Sequence, residues 1–158
     1  MTGQTIHLRL ALLAILLSAF GTLRALGQEK PVPGVINELT PDDFARLVFD
    51  WREGGDFKYV GDKPAIVDFY ATWCVPSHLL RPRLKAIAKE YEDEIFVYSI
   101  DAELAPNLSY LMGVQAYPTI LFIPMKEVPT IAAGLLPEKD LKKGVEELLL
   151  GKKPKADD

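Results

Sequence analysis

Cysteine is nearly absent from this sequence: Cys74 is the only one among 158 residues. A single thiol excludes any internal disulfide, and with it the class of small scaffolds held together by disulfides. The chain has two histidines, and we find no metal-ligating cluster, Gly-rich phosphate loop or Ser/His/Asp arrangement in it. Its net charge of −4 gives no reason to expect a nucleic-acid partner. We therefore expect no metal, no cofactor and no nucleic acid.

Residues 1–27 have the pattern of an export signal. His7 and Arg9 form a weakly basic start, residues 10–20 are an almost unbroken apolar run, and small residues follow at 25–27. The run is too short to span a bilayer as a helix, and no cysteine follows it to carry a lipid. We predict a signal peptide and a periplasmic or secreted protein with no stable membrane anchor after cleavage. The alternative is a poorly packed N-terminal extension.

The rest of the chain divides into three parts. Residues 28–38 contain Pro31, Pro33 and Gly34 and predict an extended linker. A single domain is predicted over residues 39–151 because apolar periodicity continues through this region. Residues 152–158 predict a flexible charged tail.

Hydrophobic patterning predicts the element order α, β, α, β, α, β, β, α. The predicted elements are a helix from Thr40 to Gly54, a strand over 65–70, a helix over 74–91, a strand over 94–100, a helix over 105–112, strands over 119–123 and 128–133, and a helix over 137–151. A further strand is open at residues 57–60. This order predicts an α/β fold with a central mixed sheet of four to five strands and helices on both faces.

Cys74 follows a predicted strand and turn and begins a predicted helix. Free backbone N–H groups and the helix dipole stabilise a thiolate at such a position. Because a thiolate is the species that attacks a disulfide sulfur, the position alone makes Cys74 a candidate nucleophile. The alternative is a buried cysteine without chemistry.

The sequence of residues 67–77 is V-D-F-Y-A-T-W-C-V-P-S, which resembles the strand and active-site turn of the thioredoxin family, usually V-D-F-W-A-x-W-C-G-P-C. Pro82 matches the family's kink proline in the following helix. Tyr117-Pro118-Thr119 matches its cis-proline loop, and Gly134 matches the glycine between the last strand and the last helix. The resemblance covers residues 40–151 and implies the thioredoxin fold.

The resemblance also implies a role for each matching residue. Cys74 would be the attacking thiol, and Asp68 a buried acid that relays protons because desolvation raises its pKa. Four residues would form the substrate-binding surface: Trp73, Pro76, Tyr117 and Pro118. If Pro118 is cis, the backbone of Tyr117 would lie beside Cys74, where a substrate strand can pair. The alternatives are core aromatics, a trans proline at a strand end and a hydrogen-bonded structural acid.

Three positions depart from the family pattern or stand outside it. Ser77 occupies the place of the second cysteine; its hydroxyl cannot resolve a mixed disulfide but can donate a hydrogen bond to the Cys74 thiolate. The family's lysine near the buried acid falls by register on Val97, so Asp68 would lack a cationic neighbour. His78 lies one helical turn after Cys74 and either pairs with its thiolate or faces solvent.

These observations predict a thioredoxin-like thiol-disulfide oxidoreductase that acts through one nucleophilic cysteine on exported proteins. Cys74 would form mixed disulfides with protein substrates, by a reductase or isomerase-like route. A client thiol, a small thiol or a redox partner would then release it. The alternatives are a tethering module without turnover, a Cys-to-Ser trap variant of a C-V-P-C oxidoreductase, and a redox-dead structural domain.

Overall fold

A computed structural model of the chain describes residues 30–152. The strands are β1 (Ile36–Glu38), β2 (Ala65–Tyr70), β3 (Phe96–Asp101), β4 (Thr119–Ile123) and β5 (Thr130–Ala133). The helices are α1 (Pro41–Leu47), α2 (Val75–Glu90), α3 (Pro106–Leu111) and α4 (Glu138–Lys143), and α4 continues into a π-helical segment (Gly144–Leu149). The predicted signal peptide over 1–27 lies outside the described residues, as do residues 28–29 of the predicted linker and 153–158 of the predicted tail.

The five strands form one mixed sheet in the order β1-β3-β2-β4-β5. β1, β3 and β2 run parallel, while β4 is antiparallel to β2 and β5 is antiparallel to β4. The predicted mixed sheet is confirmed. The short turn between the last two predicted strands does make an antiparallel hairpin.

Helices cover both faces of the sheet. Because successive side chains of a strand point to opposite faces, β2 contributes to two separate cores. Val67 and Phe69 pack with Phe44 of α1, in a cluster that α3 also joins. Ile66 packs on the other face with Leu84 of α2, in a cluster that α4 joins. Within residues 30–152, no helix is long and apolar enough to cross a membrane.

The fifth strand is at residues 36–38, not at 57–60. The end of the predicted linker pairs with β3, where Ile36 lies opposite Val97, and this makes β1 the sheet edge. Two residues of this segment, Phe57 and Tyr59, pack against a core instead, while Val60 is 56% exposed. The centroids of the Phe57 and Phe49 rings lie 4.8 Å apart. Packing of the two rings, without a strand partner, therefore explains the aromatic character of this segment.

Two helices end differently from the prediction. α1 ends at Leu47, and Trp51 lies in the turn beyond it, where its indole N–H donates to the Pro41 carbonyl at 3.3 Å. The last helix changes from α to π at Gly144. A Cβ at Gly144 would lie 2.5 Å from a carbon of the Phe122 ring, so glycine permits this helix to approach the sheet closely.

Candidate active site

Cys74 lies where the central strand passes into the longest helix. β2 ends at Tyr70, a turn follows, and Cys74 is the N-cap residue of α2 with an extended backbone (φ −83°, ψ 108°). The predicted start of this helix is therefore correct. The first backbone N–H groups of a helix have no partner within the helix, so they present positive charge toward this end. The Cys74 side chain is 7% exposed.

The loop before β4 forms the other wall beside Cys74. Thr119 of β4 pairs with Phe69 of β2, and this register brings residues 117–118 to the end of the sheet where Cys74 lies. The Tyr117–Pro118 peptide bond is cis. The Cys74 thiol donates to the Tyr117 carbonyl oxygen, with 3.4 Å between sulfur and oxygen. The structure thus brings the two motifs together across 43 residues of sequence.

Trp73 stands at the surface beside Cys74. Its side chain is 66% exposed, and its ring meets the Tyr117 ring edge-on with 5.9 Å between centroids. Its indole N–H donates to Glu103 Oε1 at 2.9 Å, and the Thr72 hydroxyl donates to Glu103 Oε2 at 3.5 Å. Pro76, in the first turn of α2, is also exposed, whereas Pro118 is buried. Trp73, Pro76 and Tyr117 form one accessible surface around the thiol.

Asp68 is buried in β2, on the face covered by α2. Its side chain is 1% exposed, and its Oδ2 accepts from the Ser99 hydroxyl at 3.4 Å. Oδ1 has no hydrogen-bond partner among the described residues. Burial raises the pKa of Asp68 from its ordinary 3.8 to about 7, against the lowering effects of the Ser99 hydrogen bond and Arg81. The group therefore changes protonation near neutral pH.

Ser77 and Asp68 line the same polar cavity. The cavity has a volume of about 240 Å³. Its lining residues are Glu38, Asp68, Tyr70, Ser77, His78 and Arg81. Glu38 and Arg81 form an ion pair at its rim. The Ser77 side chain is 4% exposed, and within residues 30–152 its Oγ has no hydrogen-bond partner. The expected hydrogen bond from Ser77 to Cys74 is therefore not present among the described residues, and the Cys74 thiol donates to the Tyr117 carbonyl.

The structure decides between the two alternatives for His78. The residue is exposed and does not pair with Cys74, and its Nε2 lies 2.7 Å from the Thr72 carbonyl oxygen. The expectation that Asp68 lacks a cationic neighbour is wrong. In β3, Val97 lies opposite Ile66 and Ser99 opposite Asp68, and neither side chain is a cation. The cationic neighbour of Asp68 is supplied by α2 rather than by β3, since Arg81 is close enough to lower its pKa.

Comparison with known proteins identifies the family. The thioredoxin family model matches residues 39–147, more than half of the chain. This chain belongs to the thioredoxin family. Membership indicates thiol-disulfide oxidoreductase chemistry, with thiols or proteins as substrates in general.

Individual relatives agree with the family model. The chain is 42% identical to a thioredoxin of Borreliella burgdorferi over 100 residues, 63% of this chain and 86% of that protein. It is 32% identical to the chloroplastic M-type thioredoxin of Spinacia oleracea, over 63% of this chain and 53% of that protein. The chain thus spans about half the length of this plant relative.

Solved structures show the same fold. Chloroplastic thioredoxin z superposes with a TM-score of 0.61 at 27% identity, over 72% of this chain and 94% of that one. The Malassezia sympodialis thioredoxin Mala s 13 superposes with a TM-score of 0.56 at 24% identity, over 75% of this chain and 96% of that one. The predicted thioredoxin fold is confirmed.

Four further residues of this thioredoxin-family chain lie at the site without having been predicted from the sequence: Glu38, Arg81, Ser99 and Glu103. One of them was accessible to sequence reasoning, because Glu103 follows β3 just as the active-site turn follows β2, and parallel strands end at the same sheet edge. No group of three or more His, Cys, Asp or Glu side chains in the described part of the chain is placed to hold a metal ion.

Proposed function

We propose that this thioredoxin-family protein is a thiol-disulfide oxidoreductase that works through Cys74 alone. The observation that carries the proposal is the position of the only cysteine, at the N-terminus of α2 and 3.4 Å from the Tyr117 carbonyl. Such a position stabilises a thiolate. Trp73, Pro76, Tyr117 and Pro118 surround it and would hold the substrate.

The first step is a thiol-disulfide exchange. The Cys74 thiolate attacks one sulfur of a substrate disulfide, and the bond between the two substrate sulfurs breaks. A disulfide forms between Cys74 and the substrate, and the second substrate sulfur leaves as a thiolate. The exposed Trp73 ring offers apolar contact area for the chain that carries the disulfide.

The second step needs a thiol from outside the chain. Ser77 stands where a dithiol enzyme has its resolving cysteine, and a hydroxyl does not reduce a disulfide. A second thiolate must therefore attack the mixed disulfide and release Cys74, with a new disulfide as product. If that thiolate belongs to the substrate, the outcome is isomerisation. If it belongs to a small thiol or to a redox partner, the outcome is reduction of the substrate.

Asp68 is proposed as the proton donor and acceptor of the site. Its pKa of about 7 lets it exchange a proton near neutral pH, and it faces the cavity beneath the first turn of α2. A leaving thiolate takes up a proton, and an incoming thiol gives one up. A buried carboxyl with this pKa serves both demands.

The proposal includes export, and so places the substrates in the periplasm or outside the cell. It rests on the signal-like pattern of residues 1–27. Expression of the full chain in a Gram-negative host, followed by N-terminal sequencing of the periplasmic protein, tests it. Mature protein that begins near Gln28 supports export, and retention of an intact N-terminus in the cytoplasm contradicts it.

Turnover separates an oxidoreductase from a tethering module. We expect the purified protein to reduce insulin repeatedly when glutathione and glutathione reductase are supplied, and to stop when Cys74→Ser removes the nucleophile. A stable adduct with insulin that persists under excess glutathione would instead identify a tether. Failure to form any adduct would identify a redox-dead domain. Circular dichroism of the Cys74→Ser variant shows whether its fold is retained.

A further inference from the structure

We propose that Glu103, together with the exposed face of Trp73, selects substrates that carry a positive charge next to the reactive sulfur. The inference rests on the proposed function, because it concerns which disulfides reach Cys74. It assigns a charged recognition site to a residue that lies outside the active-site motif by sequence.

The carboxylate of Glu103 is fixed beside the nucleophile. One oxygen accepts from the Trp73 indole N–H at 2.9 Å and the other from the Thr72 hydroxyl at 3.5 Å. These partners are the two residues that precede Cys74. Glu103 itself is exposed, so its charge faces the space that a substrate enters. The two hydrogen bonds hold the carboxylate at one place and leave it accessible.

The charged groups around Glu103 do not neutralise its negative charge. The carboxylate of Asp101 accepts from the Glu103 backbone N–H at 3.0 Å and adds a second negative group. Arg81, the cationic side chain of the adjoining cavity, forms an ion pair with Glu38. Nε2 of His78 is engaged by the Thr72 carbonyl oxygen. Glu103 and Asp101 therefore place two carboxylates on this side of Trp73.

The neighbouring apolar groups favour an organic cation over a simple ion. Trp73 is 66% exposed, Val75 65% and Leu104 77%. A Lys or Arg side chain can pack its methylene groups on such a surface and place its charge over the indole ring and near a carboxylate. The matching substrate is a protein disulfide with Lys or Arg close to one of its cysteines.

The expected effect is modest and measurable. Glu103 lies on the order of 10 Å from the Cys74 sulfur, because Trp73 immediately precedes Cys74 and adjacent Cα atoms are about 3.8 Å apart. In water, a unit charge at about 10 Å changes a rate about twofold. Reagents of charge +1 and −1 should then differ about fourfold because of Glu103. The effect should shrink as salt rises, since the screening length is about 8 Å at physiological ionic strength.

Charged methanethiosulfonates test the inference on the single thiol. The Cys74 thiolate attacks the sulfenyl sulfur, a disulfide forms, and methanesulfinate leaves with the electron pair of the broken bond. The rate constants of the (trimethylammonio)ethyl and sulfonatoethyl reagents are measured at low salt, and their ratio is taken. The same ratio in Glu103→Gln removes intrinsic reagent differences, because only the protein charge has changed.

Two further variants separate charge from structure. Glu103→Ala removes the charge and the Trp73 hydrogen bond together, whereas the amide of Glu103→Gln can still accept that bond. Glu90→Gln removes the same charge at the far end of α2, about 22 Å from its first residue at 1.5 Å per residue. We expect the cation-to-anion ratio to fall about fourfold in both Glu103 variants and to stay at the wild-type value in Glu90→Gln.

An unchanged ratio in Glu103→Gln would overturn the inference, and so would an equal fall in Glu90→Gln. This test does not need turnover, because it records only the attack by Cys74. A ratio that falls as expected in a protein that cannot turn over insulin supports the charge selection and refutes the oxidoreductase proposal. Turnover of insulin with an unchanged cation-to-anion ratio supports the oxidoreductase proposal and refutes the charge selection. A thiol inert to both reagents overturns both.

Discussion

Replacing Ser77 by cysteine would give the site two thiols three residues apart. The Ser77 side chain is 4% exposed, and its Oγ has no partner within residues 30–152. A thiol there therefore breaks no described hydrogen bond, and cysteine is a residue that buries readily. Side chains three apart on a helix have Cβ atoms about 5–6 Å apart, about 0.5–1.5 Å beyond the disulfide range. The extended backbone of Cys74 can supply that adjustment.

The expected gain is large because the reaction becomes intramolecular. In the wild-type protein, a mixed disulfide at Cys74 is released only by an external thiol, whose concentration in a typical assay is about 1 mM. Well-oriented internal groups act at effective concentrations of about 10⁵ M or more. Even one thousandth of that value, about 100 M, exceeds the external thiol by about 10⁵-fold. The mixed disulfide of Ser77→Cys should therefore be too short-lived to isolate.

Limiting amounts of dithiobis(nitrobenzoate) measure this directly. Each molecule of reagent should release one thionitrobenzoate from the wild-type protein, which keeps the other as an adduct on Cys74. It should release two from Ser77→Cys, because the introduced thiol displaces the second. Ser109→Cys is the matched control: Ser109 is a buried serine in α3, remote from Cys74 in sequence, and one release is expected. One release per reagent from Ser77→Cys would refute our assignment of residue 77 to the resolving position.

Three other variants test the physical reasoning. Asp68 has a folded pKa of about 7 against an ordinary 3.8, so the free energy of unfolding should fall as pH rises from about 4 to 7, by up to roughly 4 kcal/mol. Urea unfolding of Asp68→Asn should not show this pH dependence. An unchanged pH dependence in that variant would contradict the prediction. Thr40→Ala removes the cap shared with Asp43 and should lower the free energy of unfolding by about 1 kcal/mol, while Thr40→Ser keeps it. Gly144→Ala forces a Cβ against the Phe122 ring. The overpacking cost of about 1–3 kcal/mol should exceed the helix-propensity gain of about 1 kcal/mol, so the melting temperature should fall. A higher melting temperature would refute this reasoning.

The two central strands could be predicted because each is a continuous run of mostly apolar residues, which is typical of a strand buried on both faces. Ala65–Tyr70 and Phe96–Asp101 lie in the middle of the sheet with helices on both faces, so nearly every residue of each run is buried. β1 could not be predicted in this way. It has three residues, two of them polar, and it is a strand because β3 offers a free edge. That is a property of the assembled sheet rather than of the segment.

In the candidate site, too, the residues of a local motif could be predicted and those brought in by tertiary contacts could not. The sequence places Trp73, Cys74 and Ser77 within four positions of one another, so a local motif predicts their proximity. Glu103 and Arg81 reach the site through strand register and side-chain length, across separations of 30 residues from Trp73 and 43 from Glu38. The same limit explains why no cationic neighbour was expected for Asp68. Arg81 lies on α2, and only the packing of that helix on the sheet brings it close to the Asp68 carboxyl.

The polar cavity lies between Ser77, at the position of the family's second cysteine, and the buried acid Asp68. Asp68 Oδ1 and Ser77 Oγ lack partners among the described residues, and both line the same space of about 240 Å³. An unpaired buried polar atom costs about 1–3 kcal/mol, and a water molecule occupies about 30 Å³, so several waters fit and would satisfy both atoms. Water there would also let Asp68 exchange protons with solvent past Glu38 and Arg81. A thiol that arrives from outside must lose its proton at the site, and Asp68 titrates in the range where it can accept one. Under the proposed function, serine at position 77 supplies no second thiol, and Asp68 beside it supplies the proton exchange that release by an external thiol would require.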